Sequence, residues 1–365
     1  MSWPEARARF PVLERHAYLN AGTFGPLSRA SIEAMATLRA WEGAHGRAGK
    51  DYFEEMLARR ERVRALLSDQ INVPPDNIVL TESTTQGVHI ALTGLGLGPG
   101  DEVVTTDVEH FGLSGPLIAT GANLRIAHVR DARAEDAYDL IEAQITPRTK
   151  LLALSAVSWI DGKLIPWHPL REATQIPVLV DGAQSAGAIE VDANGADFYT
   201  VSAQKWLCGP DGTGALFVAD PEALTPRLVG YPSAESYDVA AGTWEPKAGA
   251  RRFDPTFIPS AALAGLEAAL LDLPEGRFER ARALAERCRQ LLADQGYEVV
   301  TEPGQATLVS FRGPEDATAA AAALYTRGVI LRELPGTGLL RVSVGWWNDG
   351  SDLERLVEGL AAIAG

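Results

Sequence analysis

From about residue 77 onward the chain alternates between short, nearly uninterrupted apolar runs and longer stretches whose apolar residues recur at helical spacing. The apolar runs fall at 78–80, 102–106, 124–129, 151–156, 177–180, 198–201 and 215–218. Runs so short and so continuous predict strands covered on both faces, as in a mostly parallel sheet flanked by helices. Two helices precede them, over 27–47 and 51–68. The second presents Phe53, Met56, Leu57, Val63, Leu66 and Leu67 as its apolar face. A Pro- and Gly-rich excursion over 230–259 breaks the alternation, with Tyr231, Tyr237, Trp244, Phe253 and Phe257 as its anchors. Helices over 260–272 and 278–295 follow. A smaller α+β unit ends the chain, with strands at 307–311, 329–332 and 340–344 and helices at 315–327 and 351–362. The pattern predicts an α/β protein in two parts. The large domain spans 16–259, and the small C-terminal domain spans 260–365 and takes in residues 1–15.

With 365 residues the chain is large for one core and suits two packed units. A formal net charge of −15 argues against nucleic acid as a partner, because phosphate binding needs basic surface. It argues equally against an anionic membrane surface. The first ten residues lack the apolar core of a secretory signal, and no run is long enough to span a membrane, so a cytoplasmic protein is expected. Two cysteines, Cys208 and Cys288, are too few for a disulfide framework or a zinc cage, and no metal site is expected.

In such sheets ligands bind at the carboxyl ends of the strands, and the chemistry-bearing residues cluster there. Lys205, in Ser202-Ala203-Gln204-Lys205-Trp206, follows the run at 198–201. Asp181, in Asp181-Gly182-Ala183-Gln184-Ser185, follows the run at 177–180. A lysine there can form a Schiff base with an aldehyde. A buried aspartate needs a positive partner, and a protonated pyridine nitrogen is one. Together they describe a pyridoxal-phosphate (PLP) site. Once displaced by substrate, Lys205 is placed as a base for a Cα proton. Gln184 can donate a hydrogen bond to the ring oxygen, and Ser202 and Gln204 can reach phosphate. Thr84 and Thr85 open a helix after the run at 78–80, where backbone N–H groups and hydroxyls suit a phosphate, although a plain helix cap reads the same way. His110, in Val108-Glu109-His110-Phe111-Gly112, can lie flat on a pyridine ring. Ser158 and Trp159 reach the same sheet edge. Ser158 is taken as a cofactor contact, and Trp159 as either substrate contact or packing residue.

In the same order along the chain, these stations resemble the class V, cysteine desulfurase-like branch of fold-type I PLP enzymes. The resemblance runs from Tyr18-Leu19-Asn20-Ala21-Gly22 to Arg341-Val342-Ser343-Val344-Gly345. It implies a fold-type I transferase with a seven-stranded sheet, Lys205 as the Schiff-base lysine, Asp181 on the ring nitrogen and His110 stacked on the ring. Gln184 would contact the ring oxygen, and Thr85, Ser202 and Gln204 the phosphate. Gln204 stands where many desulfurases have histidine. Thr256 resembles the residue that reaches a neighbouring subunit's phosphate, one residue short of the usual spacing, which implies a homodimer. Arg341 matches the arginine that grips the substrate's α-carboxylate, where a bidentate fork fixes orientation as well as charge. Asn20 falls in the loop expected to line the substrate pocket.

Desulfurases carry a nucleophilic cysteine on a loop shortly before that arginine, and Ile330 through Leu340 contains none. The stretches Leu80–Glu82, Asp107–His110, Val180–Gly187 and Lys205–Gly214, with Arg332 and Arg341, resemble the cysteine/cystine C–S lyase type instead. That resemblance implies β-elimination to pyruvate, ammonia and a thiol or persulfide. Arg332 then meets a second carboxylate or, alternatively, salt-bridges Glu333. A class V aminotransferase, an epimerase of the isopenicillin N type, and a PLP-binding protein without turnover are the other readings.

Overall fold

The computed structural model describes residues 2–364. Its strands, in chain order, are β1 (Ala17–Tyr18), β2 (Ile78–Thr81), β3 (Glu102–Thr106), β4 (Asn123–Ala127), β5 (Thr149–Ser155), β6 (Val178–Asp181), β7 (Phe198–Ser202), β8 (Gly214–Val218), β9 (Ala234–Asp238), β10 (Thr243–Pro246), β11 (Leu308–Arg312), β12 (Val329–Ile330), β13 (Arg332–Leu334) and β14 (Leu339–Ser343). Seven of them form one sheet in the order β2-β8-β7-β6-β5-β3-β4. Only β8 runs antiparallel to its neighbours, β2 and β7; the other contacts are parallel. This is the fold-type I architecture that the strand pattern and the resemblance imply.

The continuous apolar runs have the predicted cause. Alternate residues of β3, β5 and β6 feed two cores, one on each face of the sheet. Val103, Leu151, Ala153 and Leu179 pack with Val88 and Leu92 of the helix Thr84–Leu95. Val104, Leu152, Leu154, Val178 and Val180 pack with Val63 and Leu67 of the helix Lys50–Asp69. A second sheet, β11-β14-β13, carries a separate core with the helices Arg277–Asp294, Ala317–Thr326 and Gly350–Ala364. β1 pairs in parallel with β12, which ties the N-terminal segment to this C-terminal unit.

Two local expectations need correction. Only the later half of the helix Lys50–Asp69 faces the core, since Phe53 and Leu57 are exposed while Val63 and Leu67 are buried. The earlier half is tied to its neighbours by polar contacts instead, Tyr52 donating to Glu42 at 3.0 Å and Arg59 pairing with Glu267 at 2.9 Å. The excursion after residue 230 contains a hairpin, β9–β10, and Tyr231 and Tyr237 are exposed. Of the five aromatic anchors only Phe253 is buried. The segment is held instead by Asp254, whose carboxylate accepts from Arg60 (2.9 Å), Arg64 (2.7 Å) and the Leu80 amide (3.0 Å).

Candidate active site

Lys205 stands in a tight turn after β7. The turn is closed by Ala203 N–H to Thr213 O and Gly209 N–H to Ala203 O, and anchored by the buried Trp206 and Leu207. The N-terminal loop lies against it. Gly25 N–H donates to Gln204 O at 2.8 Å, and a Cβ on Gly25 would collide with the Lys205 carbonyl oxygen, so only glycine fits. Among the described residues no acid forms an ion pair with the Lys205 ammonium. Burial pushes its pKa down to about 8; Asp181 opposes the shift, and Arg341 and Arg332 add to it.

Asp181 ends β6 and is 4% exposed. Its Oδ1 accepts the Ala183 N–H (2.9 Å) and the Thr200 hydroxyl (3.4 Å), while Oδ2 has no hydrogen-bond partner among the described residues. A buried carboxylate with one oxygen left over is the acceptor that a pyridinium N–H⁺ requires.

His110 caps the helix Phe111–Ala119, its Nδ1 accepting the Gly112 N–H at 3.0 Å. That bond leaves the ring proton on Nε2. Partial burial, and then the positive charge of Lys205, push the imidazole pKa down, so the ring is neutral at pH 7. Its edge meets Trp159 at 5.3 Å and 90°. Gly112 also brings in the phosphate-side helix, because a Cβ there would lie 2.7 Å from Thr85 Oγ1. Ser83, not either threonine, caps that helix by accepting the Gln86 N–H, so the hydroxyls of Thr84 and Thr85 take no part in capping.

Gln184 is clamped at both ends. Its Nε2 donates to Gly22 O (2.9 Å) and its Oε1 accepts from Trp206 Nε1 (3.0 Å), which leaves one amide N–H. Ser202 is buried at the end of β7, and Gln204 Oε1 is buried without a partner. The Ser158 hydroxyl accepts from Ile160 and Asp161 in its own turn and keeps its O–H to donate. Thr256 takes part in none of the hydrogen bonds that join this group. It follows Asp254 on the segment where Phe257 lies under Arg60.

On the substrate side Arg332 and Arg341 are register partners across β13 and β14. Arg332 forms no salt bridge with Glu333 or any other acid among the described residues; its Nη1 donates to Thr23 Oγ1 at 3.2 Å. Arg341 is 1% exposed, donates to Trp159 O (2.7 Å) and Thr23 Oγ1 (3.4 Å), and keeps Nε buried without a partner. Thr23 donates in turn to Asn20 Oδ1 at 2.8 Å. Thr23 escaped the sequence reading because a lone threonine in a glycine-rich loop carries no motif. Glu109 also escaped it, although it lies inside the quoted Val108-Glu109-His110. Trp159 is placed between the two halves of the site, its ring on His110 and its carbonyl on Arg341.

Residues 18–356 match the aminotransferase class-V family. The chain belongs to that family. Its enzymes are PLP-dependent, and the oxygen left free on Asp181, with a Lys205 that forms no ion pair among the described residues, fits that cofactor. A probable cysteine desulfurase of Pseudomonas aeruginosa is 32% identical, with 97% of each chain covered. Isopenicillin N epimerase of Streptomyces clavuligerus is 28% identical, covering 100% of this chain and 98% of that one. Among solved structures, the cystine C–S lyase C-DES in complex with its reaction product cysteine persulfide is 27% identical, covers 96% of this chain and 99% of its own, and gives a TM-score of 0.89. A mutant of C-DES with glycine covalently linked to the PLP cofactor is 26% identical, covers 97% and 98%, and gives a TM-score of 0.90. Among the described residues no helix is long and apolar enough to cross a membrane.

Proposed function

We propose that this protein is a PLP-dependent carbon–sulfur lyase acting by β-elimination on cysteine, cystine or a related S-substituted cysteine. The products are pyruvate, ammonia and a thiol or persulfide. The observation that carries the reading is the hairpin between β13 and β14. It joins two arginines that no acid among the described residues pairs with, through the four-residue loop Pro335-Gly336-Thr337-Gly338, which is closed by Thr337 N–H to Leu334 O and holds no cysteine. The chain's two thiols offer no substitute. Cys208 and Cys288 are both buried, and burial raises both pKa values, Cys288 to about 12.

PLP, bound at Lys205, supplies an electron sink for charge developing at the substrate Cα. Lys205 Nζ would hold the cofactor, Asp181 Oδ2 would keep its ring nitrogen protonated, and neutral His110 would cover one ring face. Thr84, Thr85, Ser202 and Gln204 would hold the phosphate, with Gln184 at the ring oxygen. Arg341 grips the α-carboxylate and so orients the Cα–H bond. Lys205, freed by substrate, takes the Cα proton on Nζ, and sulfur leaves Cβ with the electron pair of the C–S bond. Arg332 is placed for a second carboxylate, as cystine has. Thr23 holds the two guanidinium groups and is itself held by Asn20, and Trp159 walls the pocket.

We also infer a homodimer. Ile32, Trp41, Phe53 and Leu57 are exposed on the helices Arg29–His45 and Lys50–Asp69, and a second copy would cover them and bring Thr256 to its neighbour's phosphate. Sedimentation at micromolar concentration tests this. For the reaction, purified protein is incubated with cystine or cysteine, and pyruvate and sulfide are assayed with and without an added keto acid. The lyase reading expects pyruvate without a keto acid. Amino transfer that depends on the keto acid, with no pyruvate from cystine, would overturn it in favour of an aminotransferase. Stereochemical inversion without pyruvate would favour an epimerase.

A further inference from the structure

Glu109 is buried machinery that the reading above does not use. Its carboxylate accepts four hydrogen bonds, from Thr106 Oγ1 (2.7 Å), from Ser155 N–H to both oxygens (3.0 and 3.2 Å) and from Ser155 Oγ (2.5 Å). All four come from neutral donors, and among the described residues no lysine or arginine pairs with it. Ser155 is the last residue of β5 and the register partner of Asp181 on β6. Neighbouring strands lie about 4.8 Å apart, so Glu109 is docked on the strand tip beside Asp181. The next residue is His110.

Two carboxylates are therefore gathered at neighbouring strand tips, and the one on β6 acts on Lys205. We propose that Glu109 is a positioning residue that forms a second negative charge behind Asp181, holding and releasing one proton and thereby setting the proton affinity of the Lys205 centre. Three observations support it. The hydrogen bonds fix the carboxylate in place. Asp181, the charged group that faces it from β6, disfavours its ionised form. Burial, the larger cause, lifts its pKa to about 7, where a change of charge falls in the working range. Protonated, Glu109 is a neutral clamp between β3 and β5. Ionised, it favours the protonated form of any cation near Asp181, including Lys205.

The inference rests on the PLP assignment and not on which bond of the substrate breaks. It is tested on PLP-loaded protein by titrating the visible absorbance with pH, without substrate. Glu109→Gln keeps the shape and one acceptor and removes the charge. It should lower the pH of the spectral transition by roughly half a unit or more, the scale of a charge acting across a partly buried site. Glu109→Asp, which keeps the charge on a shorter stem, should move the transition back toward wild type. A purely structural role predicts similar destabilisation in both variants and no spectral shift. A Gln variant that titrates like wild type would overturn the proposal. Because no substrate is present, failure of the lyase reading would show in the pyruvate assay and leave this titration intact.

Discussion

Arg332 and Arg341 stand directly opposite each other on β13 and β14, and both guanidinium groups lie against the single hydroxyl of Thr23. Like charges placed opposite one another destabilise a sheet. Burial, with Arg332 adding to it, pushes the Arg341 pKa down to about 9. Under the proposed function, a bound carboxylate would relieve this repulsion. Arg341→Ala is expected to lower kcat/KM for every amino-acid substrate by about 30- to 100-fold, the scale of a charge-assisted bond. Arg332→Ala should cost as much for cystine and several-fold less for a substrate with one carboxylate. Steady-state kinetics on both substrates checks this, and equal losses for both would remove the second-carboxylate role.

Lys205→Ala should abolish borohydride-dependent fixation of PLP and lower pyruvate formation by roughly 10²- to 10⁴-fold or more, the loss of a positioned base. Mass spectrometry after reduction reads the first effect. The pH dependence follows from the same residue. The neutral amine attacks the aldehyde, and a lysine lowered from 10.5 to about 8 supplies it at lower pH. PLP uptake by the apo-protein should therefore rise as pH climbs through about 8, whereas an unperturbed lysine would still be rising above pH 10.

Neither thiol is placed for chemistry. Cys208 is buried at a positive φ of 55°, and Cys288 packs in the second core. Cys208→Ala and Cys288→Ala, singly and together, should keep wild-type pyruvate and sulfide release within about twofold, after correction for folded fraction. Loss of sulfide release in either soluble variant would bring back a persulfide route.

Asp254 pairs with both Arg60 and Arg64, and all three residues are almost wholly buried. Removing one member of a buried charge group strands the others. Asp254→Asn is expected to destabilise the protein by about 3–5 kcal/mol, read by denaturant unfolding of the holoprotein. Because Asp254 also holds the segment that carries Thr256, PLP should be lost faster on dialysis.

Much of this was legible in the sequence because it is local. A strand buried on both faces is mostly apolar, so 177–180 and 215–218 announced themselves, and Lys205, Asp181 and His110 were found by following the runs to their carboxyl ends. The earlier half of the helix Lys50–Asp69 was misread for the same reason. Periodicity reports which residues seek cover, and not whether this chain supplies it. The hairpin β9–β10 was missed because its strands are mostly exposed and carry no apolar alternation.

By itself, the sequence determined the α/β order, the lysine and aspartate at successive strand ends, and the absence of a cysteine before Arg341. Those properties depend on residue type and on spacing along the chain. Only the tertiary structure decided that Arg332 faces Arg341 and not an acid, that Thr23 lies between them, that Gln184 is clamped by Gly22 and Trp206, and that Glu109 sits on the strand tip beside Asp181. Each of these joins residues far apart in the chain, and register, crossover and burial create such pairs in ways no linear spacing encodes.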